Sequence, residues 1–377
     1  MTEPVKGFKD YTGESAEKLS RIRKTLVEIF ERYGFEPAYT PIIEYEEFVK
    51  EGNERDEAVS DVFKLKDKGQ RNLALRYEFT FQLKRIAKNK KLPYRRYQIG
   101  PLFRDEPVGS LRFRQFTQAD VDIVGSTVKE EAEILSMTSE IFENLGIKPV
   151  IMINNRKLMN EILKKKGIKD AEAVLREIDK YGKLPEKQIL ENLKKYGAES
   201  IISDFKKGEK FFKQFKAYKE IISLIEYCKL YGIKVNFAPT VVRGLSYYNG
   251  SVFEIKAKGI KETIAGGGSY MINKNQATGI SLGVERLGSI IKQREKEGKE
   301  KYLVISLNED KEAIKLSEKL RRKGEKVSLF YGKPSKALDY ANSYGFDKAI
   351  FVGRQEVKKG EFNVKNMKTG GQSLLKI

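Results

Sequence analysis

The sequence predicts an α+β fold, with a largely antiparallel sheet flanked by helices, a helical insertion, and a small separate α/β domain at the carboxy-terminal end. Three observations carry that expectation. Strand-length apolar runs recur from Phe35 to Val124 and again from Thr240, mostly separated by turns or by one helix, which is the spacing of an antiparallel sheet. Between them, residues 147–237 become helical in pattern and rich in Lys and Glu, as an insertion between sheet strands would be. After the charged stretch Glu295–Lys301, which reads as a linker, strand and helix alternate in the manner of an independent α/β unit. The length of 377 residues agrees, since one ordinary domain takes roughly 100–200.

The first element is a helix. Leu19, Ile22, Leu26, Ile29, Phe30 and Tyr33 fall at helical spacing within Ser15–Tyr33, and Gly34 supplies a left-handed stop. Phe35–Ile43 reads as a short strand, but Pro37 and Pro41 remove ladder donors and confine it to an edge or an interface. Strands of the same sheet are expected at Val62–Leu65, Leu73–Arg76, Tyr94–Phe103, Leu111–Val124 and Val252–Ala257. The insertion contributes helices that include Glu186–Tyr196 and Phe211–Leu230, after which the sheet resumes at Thr240 and closes with a helix beyond Gly279. The last domain reads as strand Tyr302–Leu307, helix Glu309–Lys323, strand Lys326–Phe330, helix Ser335–Tyr344 and strand Lys348–Val352.

Composition excludes whole classes of chemistry. The chain has no histidine, which removes Ser-His-Asp and Cys-His nucleophilic sites, imidazole bases and imidazole metal ligands. Its single cysteine, Cys228, lies in the apolar and aromatic run Ile221–Tyr231 and reads as a buried structural thiol, so disulfides and thiolate zinc sites are not expected. No apolar run approaches the roughly 20 residues that span a bilayer, and Met1–Tyr11 carries charge and a proline where a secretory signal needs an apolar core. The expectation is a cytoplasmic protein without a membrane partner. Lys and Arg exceed Asp and Glu by 20 charges, which favours a polyanionic partner. The basic residues are spread over Lys88–Arg96, Lys164–Lys166, Lys206–Lys216 and Arg321–Lys326, so the summed excess says more than any one cluster.

Chemistry concentrates in Tyr97–Gly125, YQIGPLFRDEPVGSLRFRQFTQADVDIVG. Two strands are joined by a loop with Pro107, Gly109 and Ser110, and Arg104, Glu106, Arg112 and Arg114 stand close to it. Alternation puts Gln118, Asp120 and Asp122 on one face. Such a hairpin is either a surface ribbon laced with ion pairs or an anion site, in which arginines hold phosphates while carboxylates and an amide hold a cationic or polar group. Three other features have two readings. Gly266–Gly268 marks a turn or bulge, or a close approach of backbone to ligand. Tyr247 and Tyr248, as neighbours on a regular strand, would point to opposite faces. Glu285 and Arg286, at the start of a helix, have the look of a surface ion pair.

The hairpin resembles motif 2 of class II aminoacyl-tRNA synthetases, and in detail that of the histidyl-tRNA synthetase family. Three further segments agree in order: LRYEFT at Leu75–Thr80, TVVRGLSYYNGSVFE at Thr240–Glu254, and AGGGSYMINKNQATGISLGVERL at Ala265–Leu287. The first helix and the strand ending at Pro41 resemble motif 1, which in the family builds a dimer interface, and VKNMKTGGQ at Val364–Gln372 resembles part of the anticodon-binding domain. The resemblance covers nearly the whole chain. It implies a class II sheet in two parts, residues 1–146 and 238–296, around the insertion at 147–237, followed by an anticodon-binding domain at 301–377.

The resemblance also implies roles. Arg104 would contact the α-phosphate of ATP and the substrate carboxylate, Glu106 the adenine amino group, and Phe116 would stack on adenine. Arg112 and Arg286 would hold the outer phosphates, with Mg²⁺ carried mainly by ATP and no protein metal site. In the segment Glu78, Phe79, Thr80, the first and last would receive the α-ammonium of histidine, with Gln118 beside them. Asp122 and Tyr248 would bond the two imidazole nitrogens, with Tyr247 and Tyr270 lining that pocket. Arg243 would lie across the α-phosphate, where other class II enzymes place a metal ion. The implied activity is histidine–tRNA ligation through histidyl-adenylate, in a homodimer that binds tRNA(His) and not DNA. Physical chemistry agrees with these roles: permanently charged guanidiniums can neutralise phosphate oxygens without proton transfer, and an acceptor facing a donor suits a neutral imidazole.

Departures from the family pattern are Ser246 where RGLDYY has aspartate, and Ser269 and Met271 where GGRYD is usual. The insertion is short, and the last domain is expected to lack a terminal helix. The alternative is a catalytically inactive, histidine-binding regulatory paralogue of ATP phosphoribosyltransferase, but such paralogues lack the anticodon-binding domain and typically lose the arginine segment.

Overall fold

The amphipathic face read from Leu19 to Tyr33 forms a helix over Gly13–Arg32, which buries Ile22, Leu26, Ile29 and Phe30 and is followed by Gly34 at φ +76°. The structure, a computed structural model, describes residues 2–51, 57–109, 112–182, 184–243, 247–260, 262–291 and 300–376. It divides into two units, Met1–Lys292 and Gln293–Ile377. Most of the expected linker Glu295–Lys301 lies outside the described residues, as do Ser110, Leu111 and Ser246.

In chain order the strands of the first unit are β1 (Glu36–Pro37), β2 (Ile43–Tyr45), β3 (Lys64–Lys66), β4 (Asn72–Leu75), β5 (Tyr94–Phe103), β6 (Gln115–Val124), β7 (Pro149–Asn155), β8 (Val235–Phe237), β9 (Tyr248–Ala257), β10 (Ala265–Ile272) and β11 (Asn275–Gly283). Eight of them form one sheet in the order β1-β5-β6-β11-β10-β9-β7-β8. Its pairings are antiparallel except at the two edges, where β1 runs parallel to β5 and β8 parallel to β7. The proline-bearing strand is at an edge, as its missing donors require. The runs near 62–65 and 73–76 do not join this sheet. They pair with β2 in a separate three-stranded sheet, β2-β4-β3.

One face of the large sheet is covered. Ala119, Val121 and Ile123 of β6 and Ile280 and Leu282 of β11 enter a core shared with Phe30, Leu135, Phe142 and Leu224 from the helices Gly13–Arg32, Val128–Asn144 and Tyr218–Leu230. The middle helix starts with a capping box: Thr127 Oγ1 accepts from Lys129 N at 3.2 Å, and Glu130 Oε2 accepts from Thr127 N at 2.7 Å. Alternation then leaves Gln118, Asp120, Asp122, Gly279, Ser281 and Gly283 on the opposite face. The helical insertion proves narrower than 147–237. Its helices run from Arg156 to Leu230, and the flanking segments are β7 and β8, whose apolar residues complete the sheet edge.

The second unit has β12 (Lys301–Ser306), β13 (Lys326–Tyr331), β14 (Lys348–Val352), β15 (Glu361–Asn366) and β16 (Gln372–Lys376), in the order β13-β12-β14-β15-β16. The first three pair in parallel through the helices Asp310–Arg322 and Pro334–Ser343, the crossover connections that parallel strands require. The stretch Val364–Gln372 turns at Gly370, φ +72°, between the antiparallel strands β15 and β16. A short helix, Arg354–Lys359, precedes this hairpin.

Candidate functional site

The uncovered face of the large sheet is the floor of a pocket. It is built as three rows across the strands. Gly100, Gln118 and Gly283 form the first, Gln98, Asp120, Ser281 and Gly266 the second, and Arg96, Asp122, Gly279 and Gly268 the third. Gly266 is in a regular strand pairing with Glu254 and Ser281, and a β-carbon there would come within 2.5 Å of Arg243 Cζ. The glycine is therefore present for close approach of a side chain. A bulge follows at once, where the register of β10 against β9 shifts between Gly268 and Tyr270.

Eleven of the residues expected from sequence line this pocket: Glu78, Thr80, Arg104, Glu106, Arg112, Phe116, Gln118, Arg243, Tyr247, Tyr248 and Arg286. Arg104 donates from Nε and Nη2 to the Tyr77 carbonyl, both at 3.2 Å, and its guanidinium stands 5.2 Å from the centre of the Phe116 ring. Arg286 donates to the Thr263 carbonyl at 3.1 Å instead of pairing with Glu285. Glu285 accepts from the Thr117 amide at 2.9 and 3.0 Å, so the expected surface ion pair gives way to two separate anchors. Burial, and then the neighbouring Arg104 and Arg112, press the Arg286 pKa below its ordinary value. One end of the pocket thus gathers positive charge against its own repulsion, as a site awaiting a polyanion would.

Arg243 has φ +57°, a backbone region that non-glycine residues seldom occupy. Burial works most strongly against its charge, but Tyr248, Glu254, Asp179 and Tyr247 together outweigh burial and hold its pKa above the ordinary value. Glu254 Oε1 is 3.6 Å from Arg243 Nη1, and Nε is buried without a hydrogen-bond partner among the described residues. Tyr247 precedes β9 and is outside its regular pleat, so it and Tyr248 both line the pocket, with ring centres 4.8 Å apart. Tyr270 is 5.4 Å from Tyr247 and 6.4 Å from Tyr248, edge-on to the latter. Burial raises the pKa of all three phenols, which keeps them neutral donors.

Three expected residues do not reach the pocket lining. Phe79 is fully buried, with its ring 4.8 Å from the Arg76 guanidinium. Asp122 is held by the buried Arg96, with Nη2 to Oδ2 at 2.7 Å, and accepts a hydrogen bond from the Tyr270 hydroxyl. Tyr270 is thereby committed to Asp122. A β-carbon at Gly279 would approach Asp122 Cγ to 2.9 Å, so this glycine makes room for the carboxylate. Asp120 is the carboxylate that does line the pocket, although sequence reasoning gave it a face and no role. Its pKa is raised to about 7, by burial first and by the Asp122 charge second, against the favourable Arg96, Gln118 and Ser281. Arg96, which organises the acidic end, gave no signal beyond its place in a basic cluster. Neither did Gly7, whose carbonyl accepts from Arg114 N at 2.8 Å and ties the amino-terminal segment to the motif 2 hairpin.

The family model for histidyl-tRNA synthetase matches residues 7–287, and that for an anticodon binding domain matches residues 301–377. Histidine–tRNA ligase 2 of Shouchella clausii is 32% identical over 411 residues, covering 98% of this chain and 96% of the relative. The histidine–tRNA ligase of Pyrococcus horikoshii is 32% identical over 417 residues, covering 99% and 96%. Among solved structures, histidyl-tRNA synthetase from Nostoc sp. PCC 7120 superposes with a TM-score of 0.85 at 23% identity, covering 100% of this chain and 97% of that one. An ATP phosphoribosyltransferase regulatory subunit/histidyl-tRNA synthetase from Bacillus halodurans C has a TM-score of 0.79 at 22% identity, covering 93% and 98%. At those identities the structural likeness is one of fold.

Two outcomes follow from the floor. Gly266→Ala places a methyl group where the Arg243 guanidinium lies, so it should lower turnover while leaving the melting temperature within a few degrees; unchanged turnover would mean that Arg243 need not lie there. Asp120 has a folded value above its ordinary 3.8, so its stabilising contribution is complete below about pH 4 and is lost as the pH rises through about 7. No imidazole in the chain titrates in that window. Denaturant unfolding at pH 5 and pH 8 should therefore show a larger loss of stability in the unaltered chain than in Asp120→Asn, and equal losses would refute the raised value.

Proposed function

This chain belongs to the histidyl-tRNA synthetase family, and from that premise we propose how its pocket activates histidine. The chain is a histidine–tRNA ligase that uses ATP and charges tRNA through an anticodon-binding domain at residues 301–377. The observation that carries the site assignment is one pocket lined by four arginines, Arg104, Arg112, Arg243 and Arg286, the last close enough to feel the charge of the other three, together with Glu78, Asp120 and two tyrosines. The arginines suit a triphosphate, and the carboxylates and phenols a zwitterionic amino acid.

In the first step a carboxylate oxygen of histidine attacks the α-phosphorus of ATP, the bond to the bridging oxygen breaks, and pyrophosphate leaves. Arg104 and Arg243 neutralise the α-phosphate oxygens as the charge develops, and remain protonated throughout. Arg112 and Arg286 hold the outer phosphates, and relief of their mutual repulsion favours the bound triphosphate. Phe116 offers its face to adenine, with Glu106 as acceptor for the adenine amino group. A magnesium ion carried by the triphosphate would share with Arg112 and Arg286 the neutralising of the outer phosphates. Glu78, Thr80 and Gln118 receive the α-ammonium. In the second step the terminal ribose hydroxyl of tRNA attacks the acyl carbon and AMP departs. Such a ligase works in the cytoplasm.

The regulatory alternative is disfavoured, since the chain retains Arg243 and matches an anticodon-binding domain. A homodimer is supported by exposed apolar residues beside the edge strand: Tyr39 is 82% exposed, Tyr45 55% and Ile43 49%. Sedimentation at micromolar concentration should give twice the chain mass, and a monomer would remove this proposal. ATP–pyrophosphate exchange should depend on histidine among the twenty amino acids. Arg243→Ala should depress that exchange by roughly a hundredfold or more, with calorimetric histidine binding far less affected; exchange at the unaltered rate would sink the role given to Arg243.

A further inference from the structure

The bulge between β9 and β10 is engaged from the covered face of the sheet. Pairing is regular as far as Gly268 with Val252 and resumes at Tyr270 with Tyr248, so Asn249, Gly250 and Ser251 of β9 stand opposite Ser269 alone. Gly268 and Tyr270 lie on the pocket side, and Ser269 between them turns the other way, where it is fully buried. Its hydroxyl donates to Oε1 of Glu131, in the first turn of the helix Val128–Asn144. The buried Ser251 hydroxyl, from the β9 side, also favours the charged form of that carboxyl. One carboxyl thus engages both strands at the irregular stretch. A β-carbon at Gly250 would come within 3.1 Å of Ser269 Cβ, so the serine packs directly on bare backbone.

Glu131 is a costly residue to have there. Its Oε2 is buried without a hydrogen-bond partner among the described residues. Lys157 favours its charge less than Glu220, with which Lys157 is paired at 2.8 Å, opposes it. Burial is the largest influence and holds its pKa above the ordinary value. Serine stands at 269 where the family pattern has arginine, so the carboxyl meets hydroxyls here and no guanidinium. The helix N-terminus offsets part of the cost, but a buried carboxyl without a paired cation is destabilising taken alone. What it secures is the junction at which β10 carries Tyr270 and β9 carries Tyr248.

We infer that Glu131 is a positioning residue for the pocket: set against Ser269 and Ser251, it fixes the bulge from behind and with it the placement of Tyr248 and Tyr270. The two tyrosines are paired with each other where the ladder resumes, Tyr248 lining the pocket and Tyr270 donating to Asp122. Arg243 is set differently. It lies against Gly266, two residues before the bulge, where β10 pairs regularly with Glu254 and Ser281. The reach of Glu131 is therefore confined to the tyrosines, and the arginines that suit a triphosphate keep their places without it.

This inference rests on the ligase reading, and the test keeps the two apart. Histidine and ATP KM values are measured by pyrophosphate exchange on the full chain and on Glu131→Leu, Glu131→Gln, Ser269→Ala and the double variant Glu131→Leu, Ser269→Ala. Glu131→Leu should raise the histidine KM by roughly fivefold or more while the ATP KM stays within about twofold. Glu131→Gln keeps an acceptor for Ser269 and should stay within about twofold of the unaltered chain for both substrates. Ser269→Ala should move the histidine KM in the same direction as Glu131→Leu, and the double variant should go no further than Glu131→Leu alone, since both changes break one contact. A histidine KM unchanged in Glu131→Leu and in Ser269→Ala would overturn the inference. So would a rise shared equally by ATP, which a general loosening of the fold would produce. If Glu131→Leu does not fold, Ser269→Ala decides on the same terms. No histidine-dependent exchange in the unaltered chain would overturn the ligase reading itself, and this inference with it.

Discussion

The guanidinium of Arg243 lies directly against the backbone of a β-strand, in space that a β-carbon at Gly266 would occupy. Most of the site depends on that contact between a charged side chain and bare backbone. A strand that gives up side chains loses packing and chain order, and β10 tolerates this because it is central, paired along its length with β9 and β11. The ladder holds what side chains elsewhere would hold. Gly279 repeats the device one row away, where it admits the Asp122 carboxylate. The φ of +57° at Arg243 is a second cost accepted for the same placement.

Charge in the pocket is sorted and left unrelieved. At one end Arg286 feels Arg104 and Arg112 more than Glu106, and at the other Asp120 feels burial and Asp122 more than Arg96. Both conditions disfavour the empty site and favour a ligand with an anionic tail and a donor-rich head. A binding site of this kind stores part of its affinity as strain in the free protein. The covered face supplies the stability that makes this tolerable: its core runs without interruption from the first helix to the insertion, built from Phe30, Phe142, Phe253 and their neighbours.

The absence of histidine now has a chemical context. Every role in the proposed adenylation falls to a guanidinium, a carboxylate, a phenol or a backbone group, none of which needs an imidazole. Near neutral pH the chain itself has Asp120 as a titrating group in the pocket, beside whatever imidazole the substrate brings.

What the sequence determined by itself was local. The helix Gly13–Arg32, the strand Tyr94–Phe103 and the shared face of Gln118, Asp120 and Asp122 follow from periodicity, which needs no partner to be read. Motif order then named the family and eleven of the residues that line the pocket. The tertiary structure alone decided which of the two carboxylates lines the pocket, because that depends on Arg96 across the β5–β6 ladder and on Tyr270 beside a bulge in the β9–β10 pairing. It also decided that both Tyr247 and Tyr248 enter the pocket, since Tyr247 stands before the pleat begins, and that β2, β3 and β4 pair with one another in their own sheet. Periodicity tells a residue which face it is on; what already occupies that face is known only when distant strands are brought side by side.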